Sequence, residues 1–110
     1  MNRAEKESRR LVRERSGGIC EICGEARATN FQHRKARSHK GLWAPSNGLD
    51  VCGMGNAFGC HGYIHQNPEK ACENGWTVKS WDDERDVPVK TIYGFVLLDD
   101  EGSWTAAEHV

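Results

Sequence analysis

The sequence predicts a small α+β domain, and three observations carry the prediction. Residues 3–15 are rich in helix formers, among them Ala4, Glu5, Lys6, Arg9, Arg10 and Leu11, and Gly17-Gly18 supplies a stop. The 12 glycines favour turns over long packed elements, so the rest of the chain should be short strands and short helices. Only 37% of the 110 residues are hydrophobic, so the core is thin, and a domain of this size normally needs a disulfide or a metal to hold it. Attention therefore falls on the five cysteines.

The elements follow in order. Helix 3–15 has only Leu11 and Val12 to bury, which leaves it solvated or lying on a partner. Cys20-Glu21-Ile22-Cys23-Gly24 is a tight turn that presents two thiolates to one ion. A strand is expected at 29–33, then a basic loop of Arg34, Lys35, Arg37, His39 and Lys40 ending in Gly41. A second strand is expected at 49–52. The glycine-rich stretch 53–59 returns the chain to Cys60, where a short helix, 60–66, carries His61 and His65 one turn apart. Pro68 suits the first turn of another helix at 68–73. Residues 76–81 alternate like a strand. Segments 93–98 and 103–105 flank a turn at 99–102 and read as a hairpin. The expected organisation is a basic helix over 1–17, a core over 18–81 and a hairpin over 82–110 that packs on it, forming a single domain. There is no internal repeat.

Charge is divided unevenly. Residues 1–41 carry 11 Lys/Arg against 5 Asp/Glu, and residues 42–110 carry 4 against 11. The basic part suits a phosphate-binding face, because lysines and arginines displace condensed counterions from nucleic acid; a solvated helix face would read the same way. No stretch approaches a membrane span, and the charged N-terminus lacks the apolar centre of a secretion signal, so a cytoplasmic location is expected. Thiols stay reduced there, and paired cysteines read as metal ligands.

Cys20 and Cys23 form one pair; Cys52 and Cys60, with seven residues between them, form a second that the intervening glycines can fold back. Four thiolates imply a structural zinc. A set of Cys20, Cys23, Cys60 and His61 is the alternative. Neighbours on a helix point about 100° apart, which suits Cys60 and His61 to two different centres. Cys72 reads as a small packed apolar residue. His61 and His65 share a helix face and make a moderate metal signal, strengthened by His33 at the head of the basic loop.

The chain resembles a known family. The residues that carry the likeness are Cys20-Glu21-Ile22-Cys23-Gly24, then Gln32-His33-Arg34-Lys35-Ala36-Arg37-Ser38 and Ser46-Asn47-Gly48-Leu49. They continue with Cys52-Gly53 and Gly59-Cys60-His61-Gly62-Tyr63-Ile64-His65, then Asn67-Pro68 and Gly75-Trp76-Thr77-Val78. In order and spacing these are similar to the HNH endonucleases, the ββα-metal or His-Me finger class, in particular the small zinc-containing versions common in bacteriophages. The resemblance covers about residues 18–81. It implies a ββα-metal core in which His33 is the general base and Asn47 braces the loop carrying it. His61 ligates a catalytic divalent metal, and His65 ligates that metal or contacts phosphate. Cys20, Cys23, Cys52 and Cys60 hold the structural zinc. Relatives usually place His or Asp before the base; here Gln32 stands there, a weaker neutral oxygen donor, which points to magnesium or manganese.

The implied activity is metal-dependent cleavage of DNA that leaves a 5′-phosphate and a 3′-hydroxyl. A histidine titrating near neutral pH can take a proton from water, a divalent ion can polarise the phosphate, and Arg34, Lys35, Arg37 and Lys40 can hold the DNA backbone. A monomer should nick; a homodimer could cut both strands. Proximity to phage packaging proteins is what the likeness suggests for partners. The competing reading is a non-catalytic zinc-ribbon module that binds DNA or protein, and Gln32 is the feature in its favour.

Overall fold

Asn2 starts the first helix, α1 (Arg3–Ser16), by accepting a hydrogen bond from Glu5 N at 2.8 Å, and Gly17 closes it with a bond to Arg13 O. The computed structural model describes residues 1–39 and 41–107, so the expected phosphate contact of Lys40 lies outside the described residues. Downstream, β1 (Asn30–His33) and β2 (Gly48–Val51) pair antiparallel, with Gln32 opposite Leu49 and His33 opposite Gly48. Helices α2 (Gly59–Gln66) and α3 (Pro68–Glu73) follow, and a second sheet of β3 (Val89–Thr91), β4 (Gly94–Leu98) and β5 (Trp104–Ala106) ends the described chain. The architecture is α+β with an N-terminal helix and two small antiparallel sheets. Among the described residues no helix is long and apolar enough to cross a membrane.

The N-terminal helix is fastened by ions more than by apolar packing. Arg13 grips both carboxylate oxygens of Asp50, at 2.6 and 3.2 Å, and Ser16 Oγ donates to the same carboxylate at 2.7 Å. Arg15 is almost fully buried and binds Glu21 through two bonds of 2.8 and 2.9 Å, with further bonds to Pro45 O and Gly48 O. Removing one partner of such a pair typically costs about 3–5 kcal/mol, because the other charge is left buried and alone. Part of the basic excess of the first 41 residues is therefore structural.

The core joins both halves of the chain. Leu49 and Val51 of β2, Ile64 of α2, Ala71 of α3 and Trp76 pack with Val89, Val96 and Leu98 of the second sheet. Asp100, in the turn between β4 and β5, accepts from both the amide and the hydroxyl of Ser46, which ties that turn to the start of β2.

Three expectations need correction. Residues 76–81 form no strand: Trp76 N and Thr77 N bond back to Ala71 O, and Val78 N bonds to Arg34 O, so no ladder builds although Trp76 and Val78 are buried. The hairpin at the end is present, but β3 joins it as a third strand. It is only three residues long and follows Pro88, and it pairs with β4 through Val89 opposite Val96. Cys72 is exposed rather than packed.

Candidate functional site

Two chemically distinct centres lie side by side. In the first, the Cys20–Cys23 turn is closed by Gly24 N bonding to Cys20 O at 3.0 Å, and Ile19 and Arg27 bridge across its base. The second turn closes through a Met54–Phe58 bridge. Its closure depends on glycine: Gly53 and Gly59 have φ of 115° and 67°, and a Cβ on Gly53 would sit 2.1 Å from Phe58 O. The four ligand atoms of Cys20, Cys23, Cys52 and Cys60 all lie within 4.8 Å of one another, and Cys23 Sγ is 3.8 Å from Cys52 Sγ. Thiolates about 2.3 Å from a tetrahedral zinc stand ~3.8 Å apart, so the cluster has the dimensions of a zinc site. Burial, and then the neighbouring Cys20, push the Cys60 thiol far above its ordinary value, and burial raises Cys52. A dication would reverse that, since it stabilises the thiolates it binds.

The second centre is a cleft of about 370 Å³ whose walls include Gln32, His33, Arg37, Asn56, His61 and His65. Its histidines come from two elements. His33 ends β1; His61 and His65 project from one face of α2 with ring centroids 4.6 Å apart. His61 Nδ1 lies 2.5 Å from Gly55 O. A carbonyl only accepts, so Nδ1 carries a proton and is the donor in this contact. Burial, and then His61, lower the pKa of His65, which keeps it neutral and able to ligate. The side-chain nitrogen of Gln32 is held by His33 O at 3.0 Å, which leaves its oxygen as the donor. Among the described residues only the four cysteines bring three or more such ligand atoms together.

Asn47 is fully buried and acts as a brace. Its Oδ1 accepts from Lys35 N at 2.7 Å, and its Nδ2 donates to Lys35 O and Leu42 O at 3.1 and 3.0 Å. Its own carbonyl accepts from Arg34 N at 2.8 Å, so both ends of the loop after His33 are fixed. His33 packs edge-on against Trp43, with ring centroids 4.3 Å apart, and against Phe31 at 5.1 Å. Its Nε2 is buried without a partner, the only such side-chain atom among the described residues. Burial, then Arg37, then Arg9 hold the pKa of His33 below the ordinary histidine value. The imidazole is therefore neutral at pH 7.

The basic loop is only partly what its composition implies. Arg34 is buried and turns inward, donating to Gly75 O, Ser46 O, Glu84 O and Val87 O at 2.8–2.9 Å. Its assignment to DNA is corrected: every bonded donor is spent on a carbonyl. Burial pushes its pKa down to about 10, still charged at neutral pH. Lys35 pairs with Glu84 at 3.2 Å and is also largely withdrawn from solvent. Arg37 remains outward. Trp43, Phe31 and Arg9 were not anticipated at this centre. Trp43 lies outside any recognisable motif, and nothing along α1 marks Arg9 as the residue that reaches across to β1.

The two centres share one turn of helix. Cys60 faces the thiolate cluster and His61 the cleft, and His61 N bonds to Cys52 O at 2.9 Å. Comparison with protein-family models, with curated proteins and with solved structures finds no match to this chain.

Proposed function

We propose that this chain is a metal-dependent DNA endonuclease of the HNH type, with a ββα-metal core formed by β1, β2 and α2 and a structural zinc on Cys20, Cys23, Cys52 and Cys60. The observation that carries the reading is the convergence of His33, His61 and His65 on one cleft, with Asn47 bracing the loop that follows His33. Three histidines from two elements beside a fixed backbone loop suit a reaction centre better than a plain binding surface.

In this reading His33 is the general base. It is neutral, and with Nε2 buried its Nδ1 is the nitrogen that takes a proton from water. Asn47 holds the loop so that the imidazole is presented at a constant angle. His61 and His65 hold a divalent ion, with the Gln32 oxygen beside them; such an ion, when bound, neutralises the phosphate and stabilises the departing oxygen. Magnesium takes oxygen ligands. Among the described residues the cleft offers imidazoles and amides and no carboxylate, so manganese suits it better.

The test is nicking of supercoiled plasmid by zinc-loaded protein with manganese, magnesium or neither. Nicking that requires added metal and is lost in His33→Ala is expected, with manganese the better ion. The non-catalytic zinc-ribbon reading gains from the inward turn of Arg34 and from Gln32. It prevails if wild-type protein binds DNA and fails to nick with any divalent ion.

A further inference from the structure

We propose that Arg9, Trp43 and Arg37 form a clamp for the backbone phosphates of duplex DNA beside His33, which brings the N-terminal helix into the nucleic-acid interface. The inference rests on the endonuclease reading and names residues that its motifs do not contain.

Five cations of the basic half are already engaged. Arg13, Arg15 and Arg34 are tied to Asp50, Glu21 and four carbonyls; Lys35 is paired with Glu84; and Arg10 lies between Glu7 and Glu14. Two guanidinium groups behave differently. Arg9 lies 4.8 Å and Arg37 5.6 Å from the centre of the Trp43 ring, and Arg9 also reaches Phe31 at 5.8 Å. Arg9 comes from α1 and Arg37 from the loop after β1, so the fold brings them together from distant parts of the sequence.

Two like charges on one indole repel each other, and the aromatic face only partly offsets this. Anionic groups bound to the two guanidinium groups offset the repulsion. Glu5 holds Arg9 through Nε alone, at 3.0 Å, so both terminal amino groups of Arg9 remain for a ligand. Arg37 has no hydrogen bond or ion pair among the described residues, and it is exposed. A guanidinium lying on an aromatic ring is pre-organised for the forked contact that phosphate oxygens accept. The same indole packs on the His33 ring at 4.3 Å, so a phosphate held by the pair lies next to the proposed base. Duplex DNA is the polyanion that fits, because two separate cations engage successive phosphates of one strand more readily than a single small anion.

The experiment measures anisotropy of a labelled DNA duplex over a range of salt concentrations. It uses the full zinc-loaded chain without added divalent ion, and plasmid nicking is run on the same proteins. Arg9→Ala and Arg37→Ala should each reduce the salt slope by about one, and the double variant by about two. Arg27→Ala, an exposed cation of the zinc turn, should leave the slope unchanged despite the same loss of charge. Trp43→Leu should reproduce the double variant with both arginines in place, and Trp43→Phe should restore binding. If Trp43→Leu melts early or loses zinc, the arginine variants decide the matter alone. The clamp is overturned if Arg9→Ala and Arg37→Ala keep the wild-type slope, or if Arg27→Ala lowers it equally. Wild-type nicking with unchanged slopes removes the clamp and leaves the endonuclease. Reduced slopes with no nicking by any divalent ion remove the endonuclease and leave the clamp.

Discussion

The cysteine cluster and the histidine cleft begin one peptide bond apart, at Cys60 and His61, yet they are built on opposite principles. The cluster has four like donors within 4.8 Å, two of them buried, with its loops closed by backbone bridges. The cleft has mixed donors from separate elements, is open, and has Arg37 in its wall. A closed site with all its ligands from the chain serves folding, whereas an open one leaves positions for water and substrate. The comparison teaches that one turn of helix can belong to two different regions when adjacent residues face different ways.

The strongest way to break the contrast is to remove the staple. Chelation of zinc, or Cys23→Ser, should abolish cooperative thermal unfolding and empty both regions of structure, since metal binding here is folding free energy. A chelated protein that still melts sharply would separate the cluster from the fold. Next, His33→Ala should lower nicking by roughly 10²–10⁴-fold, the range of general base catalysis. Melting temperature, zinc content and DNA affinity should stay as in wild type. An unchanged nicking rate would move the base elsewhere.

A third substitution tests the boundary between the regions. Arg34→Lys keeps the charge but loses the fork that reaches four carbonyls. It should cost about 3 kcal/mol in urea denaturation, with the salt dependence of DNA binding unaltered. Weaker DNA binding at full stability would return Arg34 to the interface. The smallest effect is expected at Gln32. Gln32→Asp should tighten manganese by roughly tenfold in calorimetry, while His61→Ala weakens it; nicking need not rise with the tighter ion. If neither change moves the affinity, the ion is held elsewhere.

Much of this was legible in the sequence where chemistry is local. The Cys20–Cys23 turn, the His61–His65 spacing, the Pro68 start of α3 and the hairpin around residues 99–102 depend on residues close along the chain. What was not legible depends on long-range partners. Arg34 has the same composition signal as Arg37, and only the carbonyls of Glu84 and Val87, some fifty residues on, decide that it turns inward. Arg15 is buried because Glu21 and β2 meet it there, which no charge count reveals. The alternation at 76–81 correctly marks Trp76 and Val78 as buried, but a ladder also needs a neighbouring strand, and Ala71 O and Arg34 O take the amides instead. Strand β3 is silent in the sequence, because three residues after a proline carry almost no periodic signal.

The bond from His61 N to Cys52 O ties the backbone of the cleft to that of the thiolate cluster. A peptide unit is planar and stiff, so on the proposed reading an ion that draws Cys52 and Cys60 together also fixes the backbone that carries His61. On the same reading, a freshly synthesised chain in a zinc-poor cell would be disarmed. On the proposed reading, a host or a virus that makes this protein is protected from premature cutting of its own genome for as long as the thiolates stay open.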